Sequence, residues 1–125
     1  MSDLAEVRSG LRTVIADALP GTTQVFATIP ERVAAPFVAI GPGDPYIEFE
    51  GVPFGGKRIR LAVTCVVTAG TNDLQADALD DLLLAAAEAV DATGEFVVER
   101  ILAPGQIAIN GQPHLGATLS VLVEV

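Results

Sequence analysis

The chain of 125 residues contains no tryptophan, one cysteine and one histidine, and it is poor in basic residues. The single cysteine excludes an internal disulfide and fits a reducing compartment such as the cytosol. The single histidine excludes a metal site built from several histidines. Seven Lys and Arg stand against sixteen Asp and Glu, which gives a net charge of −9. This charge disfavours binding of nucleic acid through its phosphates and would repel an anionic membrane surface.

Aromatic residues make up 5% of the chain although half of its residues are hydrophobic, so we expect a core of Val, Leu, Ile and Ala. No stretch reaches the apolar length needed to cross a bilayer. The first residues, MSDLAEVR, lack the basic-then-apolar order of a signal peptide. We therefore expect a protein that is made and kept in a soluble compartment, and the length indicates one domain covering residues 1–125.

The apolar pattern predicts two helices and six strands. Apolar residues recur every three or four positions in residues 2–19, and again from a start at residues 71–73 to a stop at Gly94. Strands are predicted at residues 24–28, 37–40, 57–68, 95–102, 106–109 and 117–125. Asn110-Gly111 is typical of a tight hairpin turn. This order favours an α+β fold, with a mostly antiparallel sheet and both helices packed on one of its faces.

The Gly/Pro-rich segment, residues 41–56, has the sequence GPGDPYIEFEGVPFGG. Its five Gly and three Pro predict an extended arm or a loose hairpin rather than a buried strand. Tyr46, Phe49 and Phe54 cannot all be buried by one small domain, so we predict that this arm contacts a partner subunit. A loop that packs on its own domain is the alternative. Arg58 and Arg60, which follow on the less apolar face of the next strand, could pair with acidic residues of a neighbour or be exposed to solvent.

The second predicted helix has two distinct faces. Its apolar side consists of Leu79, Leu82, Leu83, Ala86 and Val90. Its acidic side consists of Asp73, Asp77, Asp80, Asp81, Glu88 and Asp91. An acidic helix face is most often simply solvated, and the alternative is a surface used in assembly or lining a lumen.

The residues that could take part in catalysis make an enzyme the least favoured class of function for this chain. Cys65 lies on the apolar face of a strand, where a thiol behaves as a small hydrophobe, and His114 lies beside a turn. A nucleophilic Cys65–His114 pair would also need a third orienting group and an open cleft. The glycine-rich stretches GPGDP and FGGKR match no phosphate-binding pattern. We expect no cofactor and no metal.

The layout is similar to a known family at two stretches above all. Residues 36–45 read P-x-x-x-x-G-x-G-D-P, and residues 71–82 read T-N-D-x-Q-A-D-x-L-D-D-L. A first helix ending in ALPG and a final INGQPHLGATLSVLVEV complete the pattern. The chain, over nearly its whole length, resembles the tail terminator proteins, minor tail proteins of the neck, of long non-contractile-tailed phages that infect actinobacteria.

The resemblance implies a virion protein made in the host cytoplasm. Its protomers would close into a homohexameric ring that caps the finished tail tube and docks onto the head-closure or connector protein. DNA would pass through the lumen without specific binding, and no membrane would be involved. Two alternatives remain: another joint of the neck, such as a head-closure stopper or tail-completion protein, and a cytosolic ligand-binding or regulatory α+β domain.

Overall fold

The computed structural model describes residues 3–30, 34–49, 56–69 and 73–125. Within these ranges the chain forms two helices and one six-stranded sheet, which confirms the expected α+β architecture and the order of its elements. The elements are α1 (Asp3–Ala18), β1 (Gln24–Phe26), β2 (Phe37–Glu48), β3 (Arg58–Ala69), α2 (Asp73–Asp91), β4 (Phe96–Ile101), β5 (Gly105–Ile109) and β6 (Gln112–Glu124). Neither described helix is both long and apolar enough to cross a membrane.

The sheet has the strand order β1-β2-β3-β6-β4, and β5 also pairs with β6. The short β1 runs parallel to β2, and the other pairs are antiparallel. Strand β4 pairs with residues 119–123 of β6, whereas β5 pairs with residues 112–116. Strands β4 and β5 therefore follow one another along the same side of β6 and together form one edge of the sheet.

Both helices cover the same face of the sheet. The predicted apolar side of α2 is buried in full, and the alternating apolar residues of β3 are buried beneath it. Leu11 and Ile15 of α1 join the same cluster. Apolar residues recur with a period of 3.6 in the helices and of 2 in β3, and these two patterns together form one continuous core.

The opposite, helix-free face carries a smaller apolar cluster at one end, formed by Phe37, Ala39 and Val66. The rings of Phe26 and Phe37 meet edge to face, with centroids 6.5 Å apart. Ile107 of β5 packs against this cluster. The central part of this face carries the polar side chains of Arg60 and Thr64 of β3, which accounts for the alternation seen in that strand.

Two turns have the backbone that their sequences predict. Gly94, just beyond α2, has a φ of +73°. The hydroxyl of the preceding Thr93 donates to the Val90 carbonyl and accepts hydrogen bonds from the backbone N–H groups of Glu95 and Phe96. Asn110 and Gly111 both have positive φ, 53° and 78°, as a two-residue turn between β5 and β6 requires. Sequence therefore determines both reversals locally.

Strand β2 differs from its prediction. We expected it to end at Ile40, but it continues through the first eight positions of the Gly/Pro-rich segment to Glu48. A wide bulge makes this possible: β2 advances five residues, from Pro42 to Ile47, while its partner β3 moves two, from Leu61 to Ile59. Gly and Pro are common at bulges, because a bulged residue leaves the hydrogen-bond ladder.

Candidate assembly surfaces

The three aromatic residues predicted to contact a partner have different surroundings. Tyr46 is half-buried against the main core, and its hydroxyl accepts a hydrogen bond of 3.2 Å from Arg8 Nη1 of α1. Helix α1 of its own chain therefore covers part of Tyr46, and the contact of Tyr46 with a partner subunit stays a prediction. Phe49, the first residue after β2, is 69% exposed. Phe54 lies outside the described residues.

Arg60 lies at the centre of a polar network on the helix-free face. Its Nε and Nη2 donate to the two carboxylate oxygens of Glu99, at 2.7 and 3.1 Å. Its Nη1 donates to Glu48 at 2.9 Å and to the Pro45 carbonyl at 3.2 Å. The Ser120 hydroxyl adds a bond of 2.8 Å to Glu99. The network joins β2, β3, β4 and β6.

The electrostatics of the network follow from these contacts. The hydrogen bond from Arg60 is the main reason that the pKa of Glu99 lies below its usual value, and the bonds to Glu99 and then Glu48 raise the pKa of Arg60. Arg60 is thus held by Glu48 and Glu99 of its own chain, and a contact with a neighbouring subunit stays a prediction.

Arg58 has a weaker contact on the same face. It forms an ion pair of 3.1 Å with Glu124, whose side chain is 56% exposed. Among the described residues its Nε has no hydrogen-bond partner. Its partner in this chain lies on the adjacent strand β6, and a contact of Arg58 with a neighbouring subunit stays a prediction.

The acidic side of α2 is exposed as predicted, at Asp73, Asp77, Asp80, Asp81 and Glu88. Sequence reasoning missed one feature of this face: Leu84, which is 55% exposed, lies among the acids. Residues three and four apart are neighbours on a helix, so Leu84 lies beside Asp80, Asp81 and Glu88. The sequence offered one signal for this exposure, since Leu84 is an apolar residue that does not belong to the predicted apolar side of the helix.

Leu84 forms one wall of an apolar groove between α2 and the sheet edge. This groove, the α2–β4 groove, has a volume of about 380 Å³ and is lined by Asp80, Leu83, Leu84, Ile101, Leu102, Ala103 and Pro104. Ile101 is 40% exposed and Leu102 50% exposed. A cluster of exposed apolar residues at a polar rim is typical of a surface that binds another protein.

The two edges of the sheet differ. At the β1 edge, Arg12 Nε of α1 donates a bond of 3.0 Å to the Val25 carbonyl, which ties the edge strand to the helix. At the other edge, β4 ends at Ile101, and both Ile101 and the following Leu102 are exposed. Natural proteins protect sheet edges with such side-chain contacts, so the β4 side is the more accessible of the two.

Cys65 and His114 both lie inside the fold. Burial raises the pKa of the Cys65 thiol to about 12, so the thiol is neutral at physiological pH and a poor nucleophile. The buried His114 ring contacts the Val67 carbonyl at 2.9 Å through Nδ1, which must carry the proton to donate there. In the part of the chain that the structure describes, no group of three His, Cys, Asp or Glu side chains could hold a metal ion.

The sequence matches no known protein-family model and none of the curated proteins.

Proposed function

We propose that this protein is a structural subunit of a phage virion, a tail terminator whose copies form a homohexameric ring on the end of the tail tube. The ring would stop the addition of tube subunits and present a surface to the head-closure or connector protein. DNA would pass through its lumen. The proposal rests on the family resemblance of the sequence and on the surfaces that the fold exposes.

The observation that carries the assembly part is the difference between the two sheet edges. The β1 edge is tied to α1 through Arg12, whereas the opposite edge exposes Ile101 and Leu102 beside Leu84 of α2. A monomer gains nothing from exposing three large apolar side chains in one place, since each keeps apolar area in contact with water. A subunit whose two sides differ suits a head-to-tail contact, and such contacts generate rings when the rotation closes.

The charge of the chain fits passage of DNA rather than binding. A net charge of −9 leaves few cations to neutralise phosphates. Of the basic side chains described, Arg58 and Arg60 are already paired with acids of the same chain. A ring built from such protomers would repel DNA weakly over much of its surface, and sliding contact would be preferred to attachment.

The test is to mix the purified protein with tail tubes and to measure mass and position together. We expect rings of six protomers, each of 12.9 kDa, at one end of each tube, and tubes that no longer grow when tube protein is added. Labelled antibody should mark the junction of tail and head in intact virions. A protein that stays monomeric or dimeric beside tubes would overturn the proposal, as would a label on the head side of the junction alone, which would assign it to a stopper.

A further inference from the structure

We infer that the exposed Phe49 of one copy binds in the α2–β4 groove of the next copy, so that the two surfaces form one head-to-tail contact. This inference rests on the self-assembly in the proposed function and names the residues that carry it. The occupant of the groove is a second copy of this chain.

Phe49 has the exposure and the position of a side chain that inserts into a partner. It is 69% exposed and follows the last residue of β2, at the end where Glu48 pairs with Arg58. A phenyl group is a large apolar surface, and aromatic residues are enriched at the centres of protein interfaces. Lys57, the residue before β3, lies at the same end of the sheet, and the ion pairs among the described residues do not include it.

The groove complements this end of the molecule in both shape and charge. Its walls are apolar, from Leu83, Leu84 and Leu102, and its volume of about 380 Å³ accommodates a phenyl ring. Its rim carries Asp80, with the other exposed acids of α2 close by. A phenyl group beside a lysine therefore faces an apolar groove beside carboxylates, and such complementarity of charge fixes the orientation of partners.

The positions of the two surfaces require a head-to-tail arrangement. Strand β1 pairs only with residues 37–39, so at the Glu48 end β2 is the outermost strand of the described sheet. The groove lies beside β4, on the other side of β3 and β6. Three strand spacings of roughly 4.8 Å place the two surfaces about 14 Å apart across the sheet. Different surfaces on opposite sides make a heterologous contact, which leaves one phenyl group and one groove free at the ends of any open chain.

The contact can be tested by disulfide trapping between two singly labelled variants. Phe49→Cys and Leu84→Cys are each made in a Cys65→Ala background, since Cys65 is the one native cysteine. Mild oxidation of the mixture at high protein concentration should give covalent dimers, and neither variant alone should. Leu74→Cys is the matched control, because Leu74 is also exposed on α2 but does not line the groove. No dimer in the mixture, equal trapping by Leu74→Cys, or dimers of Phe49→Cys with itself would each overturn the inference.

A second experiment separates this inference from the proposed function. Phe49→Ser and Leu84→Ser each remove one half of the contact, so neither should form rings on tail tubes, while a mixture of the two should stop at dimers. Both side chains are exposed, so thermal unfolding should be unchanged. If wild type forms rings and Phe49→Ser does so equally well, the inference is wrong and the terminator role stands. If the trapped dimer forms but no ring appears on tubes, the contact stands and the terminator role fails. A trap that captures the tube protein instead of a second copy also overturns the inference.

Discussion

Replacing Arg60 should destabilise the fold much more than replacing Arg58, although the two residues lie on the same face of the same strand. The side chains of Arg60 and Glu99 are each 17% exposed, whereas Glu124, the partner of Arg58, is 56% exposed. Exposed ion pairs contribute about 0–1 kcal/mol, whereas loss of one partner of a buried pair costs about 3–5 kcal/mol. The Arg60 network is partly buried, so the free energy lost on removing Arg60 should lie between these two limits.

We expect Arg60→Met to lower the free energy of unfolding by about 2–3 kcal/mol, because methionine keeps the apolar stem but leaves Glu99 with Ser120 as its remaining donor. The matched Arg58→Met should cost about 0.5 kcal/mol. For a domain of this size the loss expected for Arg60→Met corresponds to a fall in Tm of about 10 °C. Adding Glu99→Gln to Arg60→Met should recover part of the loss, since it removes the charge left without a partner.

The assay is urea unfolding followed by far-UV circular dichroism, because the chain contains no tryptophan. Equal slopes in urea would show that the variants differ in stability and not in the structure of either state. If Arg60→Met and Arg58→Met have the same midpoint, the network adds no more than an exposed ion pair, and the reasoning from burial is wrong.

Three further predictions concern the same fold. The pKa of Glu99 is lowered in the folded state, so its contribution to stability is present above the unfolded pKa of about 4.3 and is lost as pH falls through the folded pKa. The difference in unfolding free energy between wild type and Arg60→Met should therefore narrow below about pH 4. A difference that stays constant down to pH 3 in urea titrations would contradict this. The Cys65 thiol should react with a disulfide reagent at pH 8 only as fast as the protein opens, since it is buried with a pKa near 12, and labelling as rapid in native as in unfolded protein would refute its burial. Gly10→Ala should stabilise the protein by about 0.5–1 kcal/mol, because a Cβ at this helix position meets no atom within 4 Å. Gly43→Ala should destabilise it by about 1–3 kcal/mol, because its Cβ would lie 2.8 Å from the Arg60 carbonyl oxygen. A higher melting temperature for Gly43→Ala than for Gly10→Ala would exclude this account of the bulge.

Local patterns predicted the helices and the central strand. The five apolar residues of α2 that the sequence places on one side are the five that are buried. The alternation in β3 likewise assigned its core face. Both results depend on periodicity within one element, which the sequence contains in full.

The extent of β2 could not be predicted in the same way. Its bulge uses Gly43 and Pro45, residue types that usually mark a loop, and the pairing beyond it is with β3. Tyr46 is covered by Arg8, which lies 38 positions earlier. The acids that hold Arg60 lie 12 and 39 positions away. Composition gave the polarity of these side chains but contains no information on contacts between distant segments.

The exposed Leu84 bears on the two roles predicted for the acidic side of α2. A lumen through which DNA slides needs charge and hydration, and an exposed leucine among the acids serves neither purpose. An assembly surface needs an apolar centre with a polar rim, which is the arrangement of Leu84, Leu102 and Asp80 around the groove. If Phe49 of the next copy occupies that groove in the proposed ring, α2 lies at the boundary between subunits, and another surface would line the proposed lumen. Substituting Asp77 and Asp81 by Asn should then alter the salt dependence of ring formation while leaving DNA passage, measured as infectivity per assembled virion, unchanged. Loss of infectivity from fully assembled virions would return the acidic face to the lumen.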